Sequence, residues 1–178
     1  PVWSPDSKSI AFVISMSGNP DLYNYNLKTK KISRLTSHYG IDTEPAWSPD
    51  SKKLLFTSNR SGSPQIFEIK LSNKRIKRVT LEGSYNSRSR FFPDGRNIVF
   101  VHGNNGVFHI ATRNLKERFI NIVTETKLDE SPTISPNGHI IIYSAKKDDQ
   151  GYLAGITLDK KSKFELPVKI GSVREPAW

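Results

Sequence analysis

Trp3-Ser4-Pro5-Asp6 is the stretch that decides the fold, because it returns at a nearly constant interval. One copy is identical, two are degraded and the beginning of a further one follows: Trp47-Ser48-Pro49-Asp50, Phe91-Phe92-Pro93-Asp94, Ile134-Ser135-Pro136-Asn137 and Pro176-Ala177-Trp178. The anchor positions 3, 47, 91, 134 and 178 are therefore 44, 44, 43 and 44 residues apart. A fixed period of this size indicates a repeat architecture, in which each unit buries its apolar face against the next.

Each repeat carries four short strand signals separated by turn residues. In the second repeat they lie at 44–47, 53–57, 65–71 and 76–79, and residues 66–71 alternate between apolar and polar as in a half-buried strand. Pro49 presets φ for the first corner of a type I turn, and Asp50 favours that turn. Helical repeats of similar length would need apolar stripes with a period of 3.6 residues, and the sequence has none.

Four strands in a repeat of this length are typical of a propeller blade. The sequence therefore predicts an all-β fold, a partial β-propeller of four four-stranded antiparallel blades at 1–44, 45–88, 89–131 and 132–175. We expect the inner strands to end at Trp3, Trp47, Phe91 and Ile134, and a further inner strand to begin at 176–178. The three tryptophans share one repeat position before a turn, which favours a place in the core over a role as ligand platforms.

The composition narrows the chemistry. The chain has no cysteine, which excludes disulfides, thiolate metal sites and a cysteine nucleophile. Its four histidines lack metal-ligand spacing, so no metal site is predicted. Tyr143 and Ser144 have reductase-like and Ser-x-x-Lys spacings to Lys147, but no Gly-rich dinucleotide loop and no Gly-x-Ser-x-Gly elbow accompanies them. We expect no catalytic residue, no cofactor and no enzymatic activity.

The net charge is +10, and much of it lies late in each repeat, where the outer strand of a blade is expected. Lysines on an outer strand discourage pairing with another chain, so edge protection is the favoured interpretation. The alternative, nucleic-acid binding, lacks the alternation of aromatic and basic residues found in single-strand grooves. No stretch approaches the roughly 18 apolar residues of a membrane helix, so the chain is not expected to be membrane-embedded.

Beyond the repeat, particular segments resemble the TolB family, whose propellers carry PD40, WD40-like repeats. The segments that carry the resemblance are Thr43-Glu44-Pro45-Ala46-Trp47, Leu81-Glu82-Gly83-Ser84-Tyr85-Asn86, Leu128-Asp129-Glu130-Ser131-Pro132 and Glu175-Pro176-Ala177-Trp178. The resemblance implies a six-bladed propeller of which this chain is roughly the last four blades, without the family's N-terminal α/β domain. It also implies a periplasmic protein of the Tol–Pal system that binds the lipoprotein Pal, is captured by colicin segments and reaches TolA through the N-terminal region.

The loops that enter the inner strands form the candidate binding face. At 37–43, 82–87, 125–130 and 171–174 they converge on one end of the channel, and aromatic and Arg anchors beside charged groups are typical of protein-binding patches. The resemblance matches Thr43 and Glu44 to a Thr-Glu pair in the Pal-contacting loop. The candidate partner-binding residues are His38, Tyr39, Asp42, Thr43, Glu44, Glu82, Ser84, Tyr85, Asn86, Arg88, Asp129, Glu130 and Arg174.

Three hypotheses remain open from the sequence. The first is a Pal-binding scaffold that supports outer-membrane integrity and envelope constriction at cell division. The second is the gating propeller of a prolyl-oligopeptidase-like peptidase, which carries similar repeats. The third is a structural propeller whose loops are merely solvated.

Overall fold

Antiparallel pairing of strands that follow one another in sequence builds the whole architecture. A computed structural model describes residues 1–16, 18–147, 150–166 and 171–178. Within these ranges there are sixteen strands and no helix, and the strands form four separate four-stranded sheets. This confirms the predicted all-β fold, and each sheet is one propeller blade.

The strands of the first two blades are β1 (Val2–Trp3), β2 (Ser9–Ile14), β3 (Asp21–Asn26), β4 (Lys31–Arg34), β5 (Asp42–Trp47), β6 (Lys53–Ser58), β7 (Gln65–Lys70) and β8 (Arg75–Arg78). Those of the last two are β9 (Tyr85–Phe91), β10 (Asn97–Asn104), β11 (Val107–Asn114), β12 (Asn121–Ile122), β13 (Glu130–Ile134), β14 (Ile140–Lys147), β15 (Gln150–Thr157) and β16 (Lys163–Leu166). In every blade the order across the sheet is the order along the chain, from the inner strand outwards.

The predicted register of the inner strands is confirmed, since they end at Trp3, Trp47, Phe91 and Ile134. The outer strand of blade 3 is short, because only two of its residues pair with β11. Residues 176–178 were expected to begin a further inner strand, but they lie outside any strand because no described strand pairs with them.

The Ser-Pro-Asp motif recurs because its side chains close the turn between the first and second strands. The Ser48 hydroxyl donates to Asp50 Oδ1 at 2.6 Å and accepts the backbone N–H of Lys53 at 2.9 Å. Ser51, at the tip, has a left-handed φ of 57°. The hydrogen bond from Ser48 holds the pKa of Asp50 below its ordinary value. In blade 4 Ser135 and Asn137 make the same bonds without a charge.

The core lies between neighbouring blades. Along each strand, successive buried side chains point alternately towards one neighbouring blade and the other. Leu54 and Phe56 of β6 pack towards blade 1, whereas Leu55 of the same strand packs towards blade 3. A third cluster joins blades 3 and 4 around Val99 and Ile141. Because successive side chains of a strand point to opposite faces, each central blade is buried on both sides.

Trp47 confirms the prediction of a place in the core, because it packs against the cluster between blades 1 and 2, whereas Trp3 and Trp178 depart from it. Trp47 is half-buried and its indole N–H donates to the Val2 carbonyl of blade 1 at 3.1 Å. Trp3 is 63% exposed and Trp178 is 56% exposed. The Trp47 ring packs against the inner strand of the preceding blade. Trp3 is exposed because no described blade precedes it, and Trp178 is exposed because it lies in a segment that joins no strand.

Candidate protein-binding face

The two ends of the blades differ in their connections. One end, called here the loop end, carries the links between blades. These links lie at residues 37–41, 81–84, 125–129 and 171–174. The opposite end, called the turn end, carries the Ser-Pro-Asp turns and the hairpins between third and fourth strands. Strands in a blade alternate in direction, so these two sets of connections must lie at opposite ends.

A bulge in the inner strands of blades 2, 3 and 4 directs one residue of each blade towards the channel. The pairing of the inner with the second strand shifts register in blades 2, 3 and 4. At the shifts lie Glu44, Arg88 and Ser131, with left-handed φ values of 56°, 53° and 52°, and Glu175 at the same repeat position has a φ of 54°. A bulge re-aims the side chains around it. We call Glu44, Arg88, Ser131 and Glu175 the channel cluster.

Glu44 is the best-held residue of the cluster. Its Oε2 accepts the Thr57 hydroxyl at 2.6 Å and the Arg88 backbone N–H at 2.9 Å. Its Oε1 lies 3.3 Å from Arg88 Nε. Donors within the protein therefore fix this carboxylate, and it joins blades 2 and 3.

Arg88 extends the cluster across the channel. One terminal nitrogen of its guanidinium donates to the Ser131 hydroxyl and lies 3.3 Å from Glu175 Oε1. Arg90 also lines the channel, and burial lowers the pKa of its guanidinium, partly offset by Glu44. The inner strands enclose a cavity of about 790 Å³ here, which Phe12 and Val13 also line.

Three candidate residues are buried and support the loops from within. Asp42, Asn86 and Asp129 occupy one repeat position and are each 0% exposed. Asp42 accepts a hydrogen bond from Arg60 at 2.6 Å, and the Asn86 amide donates to Gln65 Oε1 at 2.8 Å.

Asp129 is held in the same way. It accepts from the hydroxyls of Thr124 and Thr126, and burial raises the pKa of its carboxyl. The structure therefore places this repeat position behind the surface, where a partner contacting the loops does not meet it.

The remaining candidates lie on the surface or at its edge. Tyr39 is 86% exposed, and its ring lies 4.0 Å from that of His38. The Asn19 amide of blade 1 donates to the carbonyl of His38 at 2.5 Å and so anchors this loop. The other exposed candidates are Glu82, Ser84, Glu130 and Arg174, and Thr43 is half-buried.

Three of the predicted residues come together in one depression. Tyr85, Arg88 and Glu130 line a small pocket of about 160 Å³, in which Phe108 meets the Tyr85 ring edge-on at 5.3 Å. His38 and Tyr39 are not among its lining residues. The candidate face thus has a centre around Arg88 and a separate aromatic pair in the 37–41 loop.

Sequence reasoning missed four residues of this end, namely Arg60, Arg90, Ser131 and Glu175. Ser131 and Glu175 were within reach, because they stand 43 and 87 residues after Arg88 at the repeat position of Glu44. Nothing in the repeat singles out Arg60, which pairs with Asp42 and stacks on Phe56.

The residues with catalytic spacing lie in blade 4. Tyr143 is buried, which raises the pKa of its phenol to about 12. The Ser144 hydroxyl donates to the Val173 carbonyl at 3.3 Å, and the Lys147 side chain lies outside the described residues. Among the described residues no group of His, Asp and Glu could hold a metal ion, and no helix is long and apolar enough to cross a membrane.

Comparison with known proteins gives the same family as the sequence segments. The PD40 family, described as the TolB beta propeller domain, matches residues 1–178. The chain belongs to the TolB beta propeller family. The Tol-Pal system protein TolB of Ruthia magnifica subsp. Calyptogena magnifica is 52% identical over the whole chain, which spans 42% of that relative.

Solved structures agree with this membership. TolB from Acinetobacter baumannii is 42% identical with a TM-score of 0.92, over 99% of this chain and 44% of that one. A puromycin-hydrolyzing peptidase from Mycobacterium tuberculosis is 11% identical with a TM-score of 0.75, over 93% of this chain and 28% of that one. This second likeness shows the fold alone. The TolB resemblance and the propeller fold are therefore confirmed.

Proposed function

We propose that this chain is the Pal-binding part of a periplasmic TolB scaffold, which acts by binding proteins and without catalysis. Membership of the TolB propeller family supports this role, and relatives carry the name of the Tol-Pal system. In the proposal the propeller has six blades, with repeats at 1–44, 45–88, 89–131 and 132–175. TolA is reached through an N-terminal region, and colicin segments compete for the Pal-binding face. The scaffold supports outer-membrane integrity and envelope constriction at division.

The observation that carries the proposal is the fixed channel cluster surrounded by exposed loop residues. Glu44 and Arg88 hold one another in place, so they lose little conformational freedom when a partner arrives. Tyr39 offers a large exposed ring, and tyrosine and arginine are enriched among residues that dominate binding energy. A rigid centre with aromatic and charged surroundings suits recognition of a folded protein surface.

The candidate residues have two distinct roles in this proposal. The exposed and half-buried ones contact Pal: His38, Tyr39, Thr43, Glu44, Glu82, Ser84, Tyr85, Arg88, Glu130 and Arg174. The buried ones, Asp42, Asn86 and Asp129, position the loops and contact no partner. Substitutions in the second group therefore weaken Pal binding only as far as they disturb the fold.

The test measures Pal affinity in the full-length protein. Thr43→Ile adds bulk beside Glu44, and Glu44→Ala removes the carboxylate that orients Arg88. Each should weaken Pal binding by about fivefold or more, which corresponds to about 1 kcal/mol. Lys28→Ala is the control, since Lys28 is exposed at the turn end, and its effect should stay within about 0.5 kcal/mol.

Two further measurements keep the result interpretable. Near-ultraviolet circular dichroism checks that each variant keeps its packing. Tyr39→Ala tests the surface apart from the channel, because its exposed ring does not support the core. If Thr43→Ile, Glu44→Ala and Tyr39→Ala all bind Pal like the control while folded, the loop end is not the Pal-binding face.

A further inference from the structure

At the turn end of blade 2, the last row of paired residues across the second, third and fourth strands, called here a rung, consists entirely of cations. Lys53 of β6 is paired with Lys70 of β7, and Lys70 is paired with Arg75 of β8. Residues directly opposite one another in antiparallel strands have close Cβ atoms, and like charges there are destabilising. Three positive side chains in one rung therefore call for an explanation.

The other blades do not repeat this arrangement. The corresponding rung of blade 1 pairs Ser9 with Asn26 and Asn26 with Lys31. In blade 3 it pairs Asn97 with Asn114. The all-cation rung is a property of blade 2 and not of the repeat, so the fold does not require it.

The blade itself compensates for little of this charge. Glu68 is the carboxylate of the group, and its two oxygens lie 3.4 Å from Lys53 Nζ and 3.3 Å from Lys77 Nζ. Among the described contacts, the ammonium of Lys70 and the guanidinium of Arg75 have no acidic partner. Four cations around one carboxylate leave a net charge of +3 (4 − 1) on this corner.

Blade 1 continues the positive surface. Lys28 and Lys30 stand in the hairpin between β3 and β4, and Lys8 and Lys52 stand in the two Ser-Pro-Asp turns, all exposed. The Asp6 and Asp50 carboxylates in those turns accept hydrogen bonds from the turns' own hydroxyl and N–H groups, and Asp6 also lies 3.9 Å from Lys8 Nζ. The turns of blades 1 and 2 also touch, because the Asp6 N–H donates to the Ser51 hydroxyl at 3.2 Å.

These cations lie on a surface and do not surround a cavity. A cavity of about 470 Å³ at the same end is lined instead by residues between blades 3 and 4, such as Asn97 and Leu158. Ile32, beside Lys31 on the outer strand of blade 1, is 60% exposed. Broadly spread cations with an exposed apolar side chain suit an extended, interfacial anionic partner better than an enclosed small ligand.

We propose that the turn end of blades 1 and 2 binds an anionic lipid bilayer surface. Phosphate groups of the lipid lie against Lys53, Lys70 and Arg75 and relieve their mutual repulsion. Lys74, in the hairpin between β7 and β8, donates to the Arg34 carbonyl of blade 1 at 2.9 Å, and Lys28 and Lys30 extend the contact across blade 1. This surface is opposite the proposed Pal-binding face, so one propeller can occupy both at once.

The experiment measures co-sedimentation of the full-length protein with vesicles. Vesicles of phosphatidylcholine mixed with phosphatidylglycerol should bind it, and vesicles of phosphatidylcholine alone should not. Binding should weaken steeply as salt is added, because exposed charges are screened over about 10 Å at 0.1 M salt. Replacing both Lys70 and Arg75 by Gln should lower the affinity for anionic vesicles by about fivefold or more.

The matched control changes the same charge in another blade. Lys160→Gln with Lys161→Gln removes two lysines from the hairpin between β15 and β16 of blade 4, and should change affinity less than about twofold. Equal binding to both kinds of vesicle, or an equal loss in the control, overturns the proposal. So does tighter binding of duplex DNA than of anionic vesicles with the same dependence on Lys70 and Arg75.

Pal affinity, measured on the same variants, separates this proposal from the proposed function. Lys70→Gln with Arg75→Gln should leave Pal binding unchanged, since both residues lie at the turn end. Loss of vesicle binding with Pal binding intact supports two separate surfaces. Loss of both, in a variant with an unchanged circular dichroism spectrum, contradicts their separation.

Discussion

The loop end and the turn end of these blades differ in how completely their charged groups pair with one another. At the loop end charged groups satisfy one another: Asp42 pairs with Arg60, and Glu44 pairs with Arg88. At the turn end of blade 2, Lys70 and Arg75 stand opposite each other, and the described contacts give neither an acidic partner. Ion pairs within the protein therefore hold the side chains of the loop end in place, whereas the cations without an acidic partner at the turn end can attract an anion.

The largest effect should follow from breaking the buried pair at the loop end. Asp42 is fully buried and Arg60 is nearly so. Asp42→Ala leaves the guanidinium without its carboxylate, and removing one partner of a buried pair costs about 3–5 kcal/mol. The free energy of unfolding, from urea titration of the full-length protein, measures this loss.

A double variant provides the control for that change. Arg60→Met keeps apolar contact with the Phe56 and Phe67 rings, which the guanidinium now covers at 5.2 Å each. Asp42→Ala with Arg60→Met should therefore recover part of the lost stability. If the double variant is as unstable as the sum of the two single variants, the pair is not the source of the effect.

A smaller loss should follow from removing the centre of the channel cluster. Arg88→Met removes the guanidinium contacts to Glu44, Ser131 and Glu175 and keeps the backbone N–H bond to Glu44. We expect the free energy of unfolding to fall by about 1–2 kcal/mol. This is at the low end for hydrogen bonds between charged groups, because a third of the Arg88 side chain is exposed. Arg174→Met, an exposed arginine of the same end, should lie within about 0.5 kcal/mol when unfolding is followed in urea.

The turn end should show its own dependence on pH. The folded pKa of Asp50 is lowered, first by the hydrogen bond from Ser48, so its contribution is present above the unfolded value of about 3.8 and is lost as pH falls below it. Asp50→Asn keeps an acceptor like that of Asn137 but has no charge to titrate.

The measurement compares the free energy of unfolding at neutral pH with that below pH 3.8. The Asp50→Asn variant should lose less stability over this interval than the parent protein. An equal loss in both would show that the Asp50 carboxylate does not contribute to the acid sensitivity.

The smallest effect, of opposite sign, should come from relieving the cationic rung. Lys70→Gln removes the middle charge between Lys53 and Arg75, and should raise stability by about 0.2–1 kcal/mol at low salt. The gain should shrink when salt is added, since repulsion between exposed charges is screened. Lys28→Gln, which has no cation opposite it in a strand pair, should leave the unfolding free energy unchanged.

The sequence was enough to predict which loops form the candidate binding face, but not which of their residues are buried. Asp42 and Asp129 looked like partner contacts because they are charged and stand in loops that enter inner strands. Both are buried, since Arg60 in one case and two threonine hydroxyls in the other provide partners from residues 3 to 18 positions away. Trp3 and Trp178 show the reverse error, because a large aromatic ring is buried only where a neighbouring blade covers it, as blade 1 covers Trp47.

The repeat of about 44 residues, the strand alternation and the Ser-Pro-Asp turns are local features, so the sequence alone determined the blades, the ends of their inner strands and the family. The tertiary structure alone decided which charges meet. Glu44, Arg88 and Glu175 are far apart along the chain, and they meet in one channel because they share a repeat position with a left-handed backbone, which lies at an inner-strand bulge for Glu44 and Arg88. Likewise, Lys53, Lys70 and Arg75 form a rung only through the strand register, because pairing between strands sets distances that a linear pattern does not contain.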